Sequence, residues 1–403
     1  MAGRRDDHAG HAGAAPGLSG WTRRGALGAG LALPLLPGWA QGAPGLADVP
    51  IRLTGNTPWT GVWLDKQGPF RFRIVSGTNV FLIYEALARR IGLELATAED
   101  TIASNRYKRQ VVTPYRVKEM VVGGALPLAN IRLLPLPGAR EPLYPGSVPI
   151  PSDRITSFDW AGQMMRYSAD LPAEAATAYG KVPLRHSDIG IGWIPKVDCR
   201  LGGKPLRLRL STGSAYGLTL YPDAVKRLGL WNGPEPHYDR KIEGNGRDLE
   251  IRIVRRGDLE LGGLRFERPV LGLYDPAHVL MDLNENDDGE IGMEVLRRVD
   301  LIFDPRRDMS WMRPNAAMAD GWTYDRAGFQ VITADSGTRV ERVDPGSPAE
   351  KAGLKAGDMI GTNEENVRRL VAAQMMPAGT KIDIPIVRDG AKMRIPVITE
   401  ERL

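Results

Sequence analysis

Two stretches of the chain carry the same alternation of apolar and arginine positions. Residues 68–77 and 204–213 both show this period of two, which is typical of a half-buried β-strand, and both end in a hydroxyl residue followed by glycine. Each stretch leads into a helical pattern that closes on a glycine, Gly92 or Gly229, as a helix C-cap with positive φ requires. The copies lie 136 residues apart, so we predict one supersecondary unit used twice.

Further β patterns follow each copy. Strands are predicted at 115–124 and 131–136 in the first unit and at 249–254, 258–261 and 266–273 in the second. The second unit closes over 290–307 with a short helix, a strand and a turn. The pattern therefore predicts a mainly β protein whose two lobes cover residues 48–170 and 180–315.

The C-terminal part of the chain mixes helix and strand signals. Ser347 and Glu350 fit a capping box, and Pro348 lies in the first helical turn. A second helix is predicted at 366–374, and strands are predicted at 381–387 and 393–398. Residues 322–403 are therefore predicted to form a separate α/β domain.

Charge and reactive side chains exclude several functions. The net charge is +5, but no block of basic residues interleaved with aromatics stands out, which argues against nucleic acid binding. Cys199 is the single cysteine, so no intramolecular disulfide can form, and we predict a small buried residue at a strand start. No pair of histidines has metal-ligand spacing, and we expect no cofactor.

An acidic stretch, residues 282–290, begins like a calcium-binding loop. Such a loop needs glycine at its sixth position and glutamate at its twelfth, where this chain has Asp287 and Met293. We therefore predict a solvated surface loop and no metal.

The N-terminus has the pattern of an export signal. Arg23 and Arg24 precede an apolar run at 25–36, which is too short to span a bilayer stably, and small residues at Ala40 and Gly42 suit a signal peptidase. The pattern predicts that residues 1–42 are a signal peptide, of the twin-arginine type in preference to an ordinary secretory signal. The mature protein is then periplasmic or extracellular, without a stable membrane span.

The two lobes resemble the retropepsin-like aspartyl proteases, in particular bacterial tandem-lobe members with a C-terminal PDZ domain. The resemblance rests on the helix at 292–298 and the strand and turn at 303–307 in the second lobe. The first lobe keeps a counterpart of that strand at 158–162 but lacks the helix, with prolines and glycines at 144–152 instead. The resemblance implies a pepsin-like or retropepsin-like β-barrel fold in two lobes.

The catalytic aspartates of that family are missing. In such a protease each lobe contributes one Asp-(Thr/Ser)-Gly triplet that begins with a catalytic aspartate, and the two aspartate carboxylates share one proton. Here the triplets read Val75-Ser76-Gly77 and Ser211-Thr212-Gly213. A nucleophilic Ser211 would need a histidine, and His186, His237 and His278 are remote in sequence. Another similar triplet, Asp335-Ser336-Gly337, is predicted to be a hairpin tip in the last domain.

Residues 345–360 closely resemble the signature of bacterial PDZ domains. The resemblance implies that the backbone N–H groups of Gly328, Phe329, Gln330 and Val331 receive the C-terminal carboxylate of a peptide. The peptide would add as a strand beside the helix that carries Val367 and Val371. In the second lobe, Gly244, Asn245 and Gly246 are predicted to form the tip of a flap over the cleft.

These observations favour an exported pseudoprotease that binds peptides or protein segments without cutting them. An active aspartic-type endopeptidase that uses an unidentified carboxylate, and a purely structural module with a filled cleft, are the alternatives. The fold does not decide among them, because function depends on the site.

Overall fold

The computed structural model describes residues 47–96, 101–104, 109–138, 141–185, 193–244, 247–278, 287–334, 337–361 and 364–403. All of these lie in one compact unit that begins at Pro37. The predicted signal peptide lies outside the described residues, as do Asn245 and Gly246 of the predicted flap tip, His186, and Asp335 with Ser336.

The first lobe is built on strands that carry the first copy of the repeat. Its strands are β1 (Ala47–Pro50), β2 (Arg52–Thr54), β3 (Thr57–Leu64), β4 (Gln67–Val75), β5 (Phe81–Tyr84), β6 (Glu94–Leu95), β7 (Thr101–Ser104), β8 (Arg109–Val112), β9 (Tyr115–Val122), β10 (Leu126–Leu136), β11 (Gly146–Pro149), β12 (Ile155–Asp159) and β13 (Met164–Ser168). Its helices are α1 (Glu85–Arg90) and α2 (Ala175–Ala178). Eight strands form its main sheet, in the order β2-β3-β4-β11-β5-β10-β9-β6.

The second lobe repeats this plan. Its strands are β14 (Gly180–Pro183), β15 (Lys196–Leu201), β16 (Lys204–Leu210), β17 (Leu218–Leu220), β18 (His237–Gly244), β19 (Arg247–Arg255), β20 (Leu259–Leu261), β21 (Leu264–Phe266), β22 (Val270–Tyr274), β23 (Gly289–Ile291), β24 (Val299–Asp304) and β25 (Met309–Pro314). Its helices are α3 (Pro222–Leu228) and α4 (Met293–Leu296), followed by 3-10 turns at Pro305–Arg307 and Ala316–Ala319. Nine strands form its main sheet, in the order β18-β19-β22-β17-β23-β16-β15-β20-β21.

The centres of the two sheets have the same topology, which confirms the predicted repeat. The order β4-β11-β5-β10 in the first lobe matches β16-β23-β17-β22 in the second. In both, the first and last pairs are parallel and the middle pair is antiparallel. The predicted positive φ of the two glycines that close the helices is also confirmed, since Gly92 follows α1 at φ 71° and Gly229 caps α3 at φ 64°.

A third sheet joins the lobes. It has six strands in the order β1-β13-β12-β24-β25-β14, so that β12 of the first lobe pairs with β24 of the second and Thr156 lies opposite Phe303. Phe158 stacks on Trp160 with ring centroids 4.7 Å apart, and the Trp160 indole donates to the Val299 carbonyl at 3.0 Å. Burial of these aromatic rings ties the two lobes into one core.

The C-terminal domain has a five-stranded sheet with two helices. Its strands, in sheet order, are β26 (Phe329–Ala334), β27 (Gly337–Val343), β28 (Met359–Gly361), β29 (Lys381–Arg388) and β30 (Ala391–Ile398), and its helices are α5 (Pro348–Lys351) and α6 (Glu364–Ala373). The Ser347 N-cap is confirmed, because the Ser347 hydroxyl accepts from the Glu350 amide at 3.2 Å, but the Glu350 carboxylate accepts from the Gly346 amide at 2.7 Å in place of the Ser347 amide that a full capping box uses. The architecture is therefore as predicted: mainly β, with two barrel-like β lobes and a C-terminal α/β domain.

Two local predictions were wrong. The single strand expected at 266–273 is two strands, because Arg268 has φ 40° and Pro269 cannot donate to a ladder. Cys199 is buried as predicted but lies inside β15, not at its start. Burial raises the pKa of the Cys199 thiol to about 12, so this thiol stays protonated and unreactive at neutral pH.

Candidate functional site

The two hydroxyl-glycine triplets meet at the interface of the lobes. The Ser76 amide donates to Thr212 Oγ1 at 2.9 Å, and the Thr212 amide donates to Ser76 Oγ at 2.9 Å. Each hydroxyl then donates across the interface, Ser76 to the Leu210 carbonyl and Thr212 to the Ile74 carbonyl, both at 2.7 Å. We call these four hydrogen bonds the triplet lattice. Their reciprocity shows that the triplets are equivalent positions of the repeat.

The first residue of each triplet faces the glycine of the other. A Cβ on Gly77 would lie 2.7 Å from Ser211 Oγ, and a Cβ on Gly213 would lie 2.9 Å from a Val75 methyl carbon. Both separations are too short for real Cβ atoms, so glycine is required at both positions. The structure thus brings Val75 and Ser211 together at the centre of the interface, with Ser211 only 4% exposed.

A buried ionic group lies beside this centre. Arg209 donates to the Gly77 carbonyl at 3.2 Å and to Asp287 Oδ2 at 2.9 Å, and Lys196 Nζ lies 3.6 Å from the same Asp287 oxygen. The Asp287 side chain has no exposure, which corrects the prediction of a solvated loop at this residue. Sequence reasoning missed the contact because Arg209 and Asp287 are 78 residues apart.

This arrangement offers no pair of carboxylates that could share a proton. Val75 has no titratable group, and the Asp287 carboxylate is held by two cations. The described histidine His237 contacts the carbonyl of Glu235, two residues before it, and no described histidine is hydrogen-bonded to Ser211. The described centre therefore has neither an aspartyl dyad nor an activated serine.

Glu294 links the lobes to the C-terminal domain. This residue lies in α4 and is fully buried. Asn56, in the turn between β2 and β3 of the first lobe, donates to Glu294 Oε2 at 2.5 Å and to the Ala215 carbonyl at 3.2 Å. The other oxygen, Oε1, accepts from Arg298 at 3.0 Å and from the Thr323 amide at 2.9 Å. Nothing in the sequence pattern predicted this clamp.

The predicted flap is the hairpin of β18 and β19. The register pairs Gly244 with Arg247, and the two residues between them lie outside the described residues. The base of the hairpin belongs to an apolar cluster that also contains residues of the C-terminal segment. Members of this cluster include Tyr238, Ile251, Ile253, Tyr324 and Leu403. The hairpin is thus covered at its base by the PDZ-like domain.

The predicted peptide groove lies at the edge of the last sheet. Strand β26 is the edge strand, with Phe329 buried and Val331 partly buried against the same cluster as Leu370 of α6. Val367 is buried and Val371 is partly buried one turn later on α6. The Gln330 side chain contacts the hairpin of β18 and β19 instead. Its Oε1 accepts from the backbone N–H of Lys241 at 3.3 Å, and its Nε2 donates to the Lys241 carbonyl at 2.6 Å.

The first amide of the predicted carboxylate loop, and the amide just before it, already have an acceptor. The Ala327 and Gly328 N–H groups both donate to Asp325 Oδ1 at 2.8 Å. Asp325 Oδ2 accepts from Arg240 of the flap hairpin and, at 3.2 Å, from Arg402. Sequence reasoning placed Gly328 at a carboxylate site but did not find that the chain supplies a carboxylate itself.

Asp344 completes this charged group. It accepts from Arg240 at 2.8 Å and from Arg402 at 2.6 Å. We call Arg240, Asp325, Asp344 and Arg402 the junction cluster. Burial opposes ionisation of Asp344, but the charges and hydrogen bonds of the two arginines outweigh it and hold the pKa of this carboxyl below its ordinary value.

The comparisons with known proteins concern different parts of the chain. A family model described as a PDZ domain matches residues 339–361. A curated protein named "Probable periplasmic serine endoprotease DegP-like", from Marinomonas sp. (strain MWYL1), is 35% identical over 95 residues, which are 22% of this chain and 18% of that protein. The chain therefore matches less than a fifth of that relative's length. The crystal structure of an aspartic proteinase from Irpex lacteus aligns with 68% of this chain and 99% of its own, at 11% identity and a TM-score of 0.42.

The C-terminal α/β domain therefore contains the segment that matches a PDZ domain model, and it follows two β-rich lobes whose sheet centres share one topology. In the part of the chain that the structure describes, no helix is both long and apolar enough to cross a membrane. Within the same residues, no group of three or more His, Cys, Asp or Glu side chains is placed to hold a metal ion.

Proposed function

We propose that this protein is an exported, catalytically inactive aspartyl-protease-like protein that binds extended peptide segments. The observation that carries the proposal is the triplet lattice, which is complete although Val75 and Ser211 stand where the family has its aspartates. A register error between sequence and fold would not leave both hydroxyls and both glycines in their places. The scaffold of the site is therefore retained without its chemistry.

The missing groups are the ones on which catalysis depends. One carboxylate activates water and the other protonates the peptide carbonyl, and neither an isopropyl group nor a neutral hydroxyl can replace them. Arg209 also contacts the Gly77 carbonyl, so a cationic side chain adjoins the position where a shared proton would be needed.

Peptide binding by the PDZ domain is the second part of the proposal. Residues 322–403 would form this domain, and a peptide would add as a strand along the free edge of β26, beside Val367 and Val371. Gly328 to Val331 would contact it through their backbone, and an extended apolar peptide is the expected ligand. A flap at 244–246 and the two lobes, 48–170 and 180–315, would offer a second peptide contact.

Export is supported by the leader pattern and by the partial match to a DegP-like protein whose name describes it as periplasmic. The proposal is a signal peptide in residues 1–42 with the twin-arginine pair Arg23 and Arg24, and a mature protein in the periplasm or outside the cell.

A structural module is the second candidate. The clamp of Asn56 on Glu294 and the buried Ser211 favour it, because both tie the lobes together near the cleft. Binding of a peptide by the full chain would separate the two candidates, since a module with a filled cleft and a purely structural PDZ domain binds none.

Proteolysis assays test the inactivity. The mature protein is incubated with unfolded casein from pH 3 to pH 7, with and without pepstatin. We expect no pepstatin-sensitive cleavage, because loss of both carboxylates removes most of an acceleration of at least about a millionfold. The control is the single variant Val75→Asp, which supplies one carboxylate and should also stay inactive. Acid cleavage that pepstatin blocks would exclude the pseudoprotease.

A further inference from the structure

The start of the loop that should receive a ligand carboxylate is occupied by a carboxylate of the chain itself. The Gly328 amide, which is the first of the predicted loop, and the Ala327 amide just before it converge on a single oxygen of Asp325 at 2.8 Å each. The side-chain amide of Gln374, which follows α6, also donates to this oxygen at 3.3 Å when its nitrogen, and not its oxygen, faces the neighbouring acceptors. Three donors on one oxygen form the kind of nest that binds an anion.

The second oxygen of Asp325 is held from outside the PDZ sheet. It accepts from Arg240, which lies on β18 of the second lobe, and from Arg402 near the C-terminus. Asp325 is only 6% exposed, and Arg240 also holds Asp344. The side chain is therefore positioned from both ends, by the loop amides on one side and by two guanidinium groups on the other.

We infer that Asp325 is an internal competitor for the carboxylate nest, so that in the resting protein the groove reads the body of a peptide and not its free C-terminus. Each N–H group donates strongly to one acceptor at a time, so a ligand carboxylate must first displace Oδ1 of Asp325. The free edge of β26 is not affected by this competition, because strand addition uses backbone groups further along the strand. The inference rests on the proposed peptide binding and refines its specificity.

Arg240, which belongs to the second lobe, binds the oxygen of Asp325 that the loop amides do not use. The Asp325 side chain therefore takes part both in docking the second lobe and in filling the nest. The partner that suits this groove is therefore an extended, apolar internal segment of a protein.

The test compares one peptide in two forms on the full mature chain. A short fluorescent apolar peptide that ends in valine is titrated as the free acid and as the C-terminal amide, and binding is followed by fluorescence anisotropy. In the wild type we expect the two forms to bind with similar affinity. In Asp325→Ala the two amides lose their internal acceptor, and the free acid should bind at least about tenfold more tightly than the amide.

Asp344→Ala is the matched control. It removes one carboxylate from the same two arginines, so it raises the local positive charge equally, but Asp325 still fills the nest. We expect this variant to treat the two peptides like the wild type. The comparison between the two alanine variants therefore isolates the nest from general electrostatic attraction.

The outcomes separate this inference from the proposed function. A tenfold preference for the free acid in the wild type would overturn the inference and leave carboxylate capture in place. Equal binding of both peptides to Asp325→Ala would overturn it and leave strand addition in place. If neither peptide binds any of the three proteins, both the inference and the peptide-binding proposal fail. The wild-type measurement needs no substitution, so a preference for the free acid there overturns the inference even where a variant folds poorly.

Discussion

The interlobe centre and the PDZ junction both join parts of the chain that are far apart in sequence, and they do so with opposite chemistry. The triplet lattice uses only hydroxyl and backbone groups, in buried hydrogen bonds of 2.7–2.9 Å. The junction cluster uses two arginines and two aspartates, all nearly buried. The comparison teaches that neutral groups join the two lobes at the triplets, whereas ionised groups dock the C-terminal domain.

The difference has an energetic meaning. A neutral hydrogen bond contributes modestly and is insensitive to pH and salt, whereas a buried charge becomes costly when its partner is removed. The junction should therefore be the more sensitive of the two regions, both to substitution and to pH.

The largest expected effect is the loss of Arg240. In Arg240→Ala, the buried Asp325 and Asp344 lose one of the two arginines that they share and keep Arg402 as the other, so we expect the free energy of unfolding to fall by about 3–5 kcal/mol. Urea denaturation measures the fall, and hydrogen exchange at 322–330 should accelerate. Arg339→Ala, at an exposed arginine of the same domain, is the control and should change stability by less than about 0.5 kcal/mol. Equal effects of the two substitutions would mean that the junction cluster does not hold the domain.

The next effect concerns the triplet lattice. Thr212→Val keeps the shape of the side chain but leaves the buried Ser76 amide and Ile74 carbonyl without a partner, which should cost about 2 kcal/mol. Urea denaturation again measures the change, with Thr177→Val at an exposed threonine as the control. A cost for Thr212→Val no larger than for Thr177→Val would contradict the reciprocal lattice.

A smaller effect is expected at the clamp between the lobes. Asn56→Ala removes the hydrogen bonds to Glu294 and Ala215 and should cost about 1–2 kcal/mol more than Asn130→Ala. The two asparagines have similar left-handed backbones, φ 63° and φ 56°, so the strain from alanine is matched. If the two variants are equally stable, the clamp contributes nothing and the structural-module candidate loses its main support.

The smallest effect is a dependence of local protection on pH at the junction. The pKa of Asp344 is lowered in the folded protein, so its contribution to stability is present above the ordinary carboxyl value and is lost as the pH falls through the lowered one. Hydrogen exchange at pH 7 and pH 3 should show weaker protection at 322–330 in acid but unchanged protection at 74–77. Asp344→Asn should reduce this difference. Acid-induced exposure of residues 74–77 before 322–330 would reverse the order of the two regions.

Much of the interlobe centre could be predicted because its information is local and repeated. The period of two, the hydroxyl-glycine pair and the helix that closes on Gly92 or Gly229 each depend on neighbours in sequence. Two copies of one pattern then imply equivalent positions in space, so Val75 and Ser211 could be paired without a structure. The strand at 266–273 was predicted wrongly because an apolar run does not reveal the turn at Arg268.

The junction could not be predicted in the same way. Arg240 precedes Asp325 by 85 residues and Asp344 by 104, and each of these side chains resembles an ordinary surface charge in the sequence. The same holds for Asp287, whose acidic neighbourhood suggested a solvated loop although its side chain is buried beside Lys196 and Arg209. A charge shows its role only through its partner.

The sequence by itself determined the fold class, the repeat and the absence of both aspartates, because these follow from periodicity and from residue identity at fixed offsets. Only the tertiary structure decided that Asp325 accepts from the Ala327 and Gly328 amides and that the C-terminal domain is docked on the β18–β19 hairpin through Arg240. The physical reason is that alternation and capping are short-range effects, whereas the state of a buried charge depends on which distant groups the folded chain brings within hydrogen-bond distance.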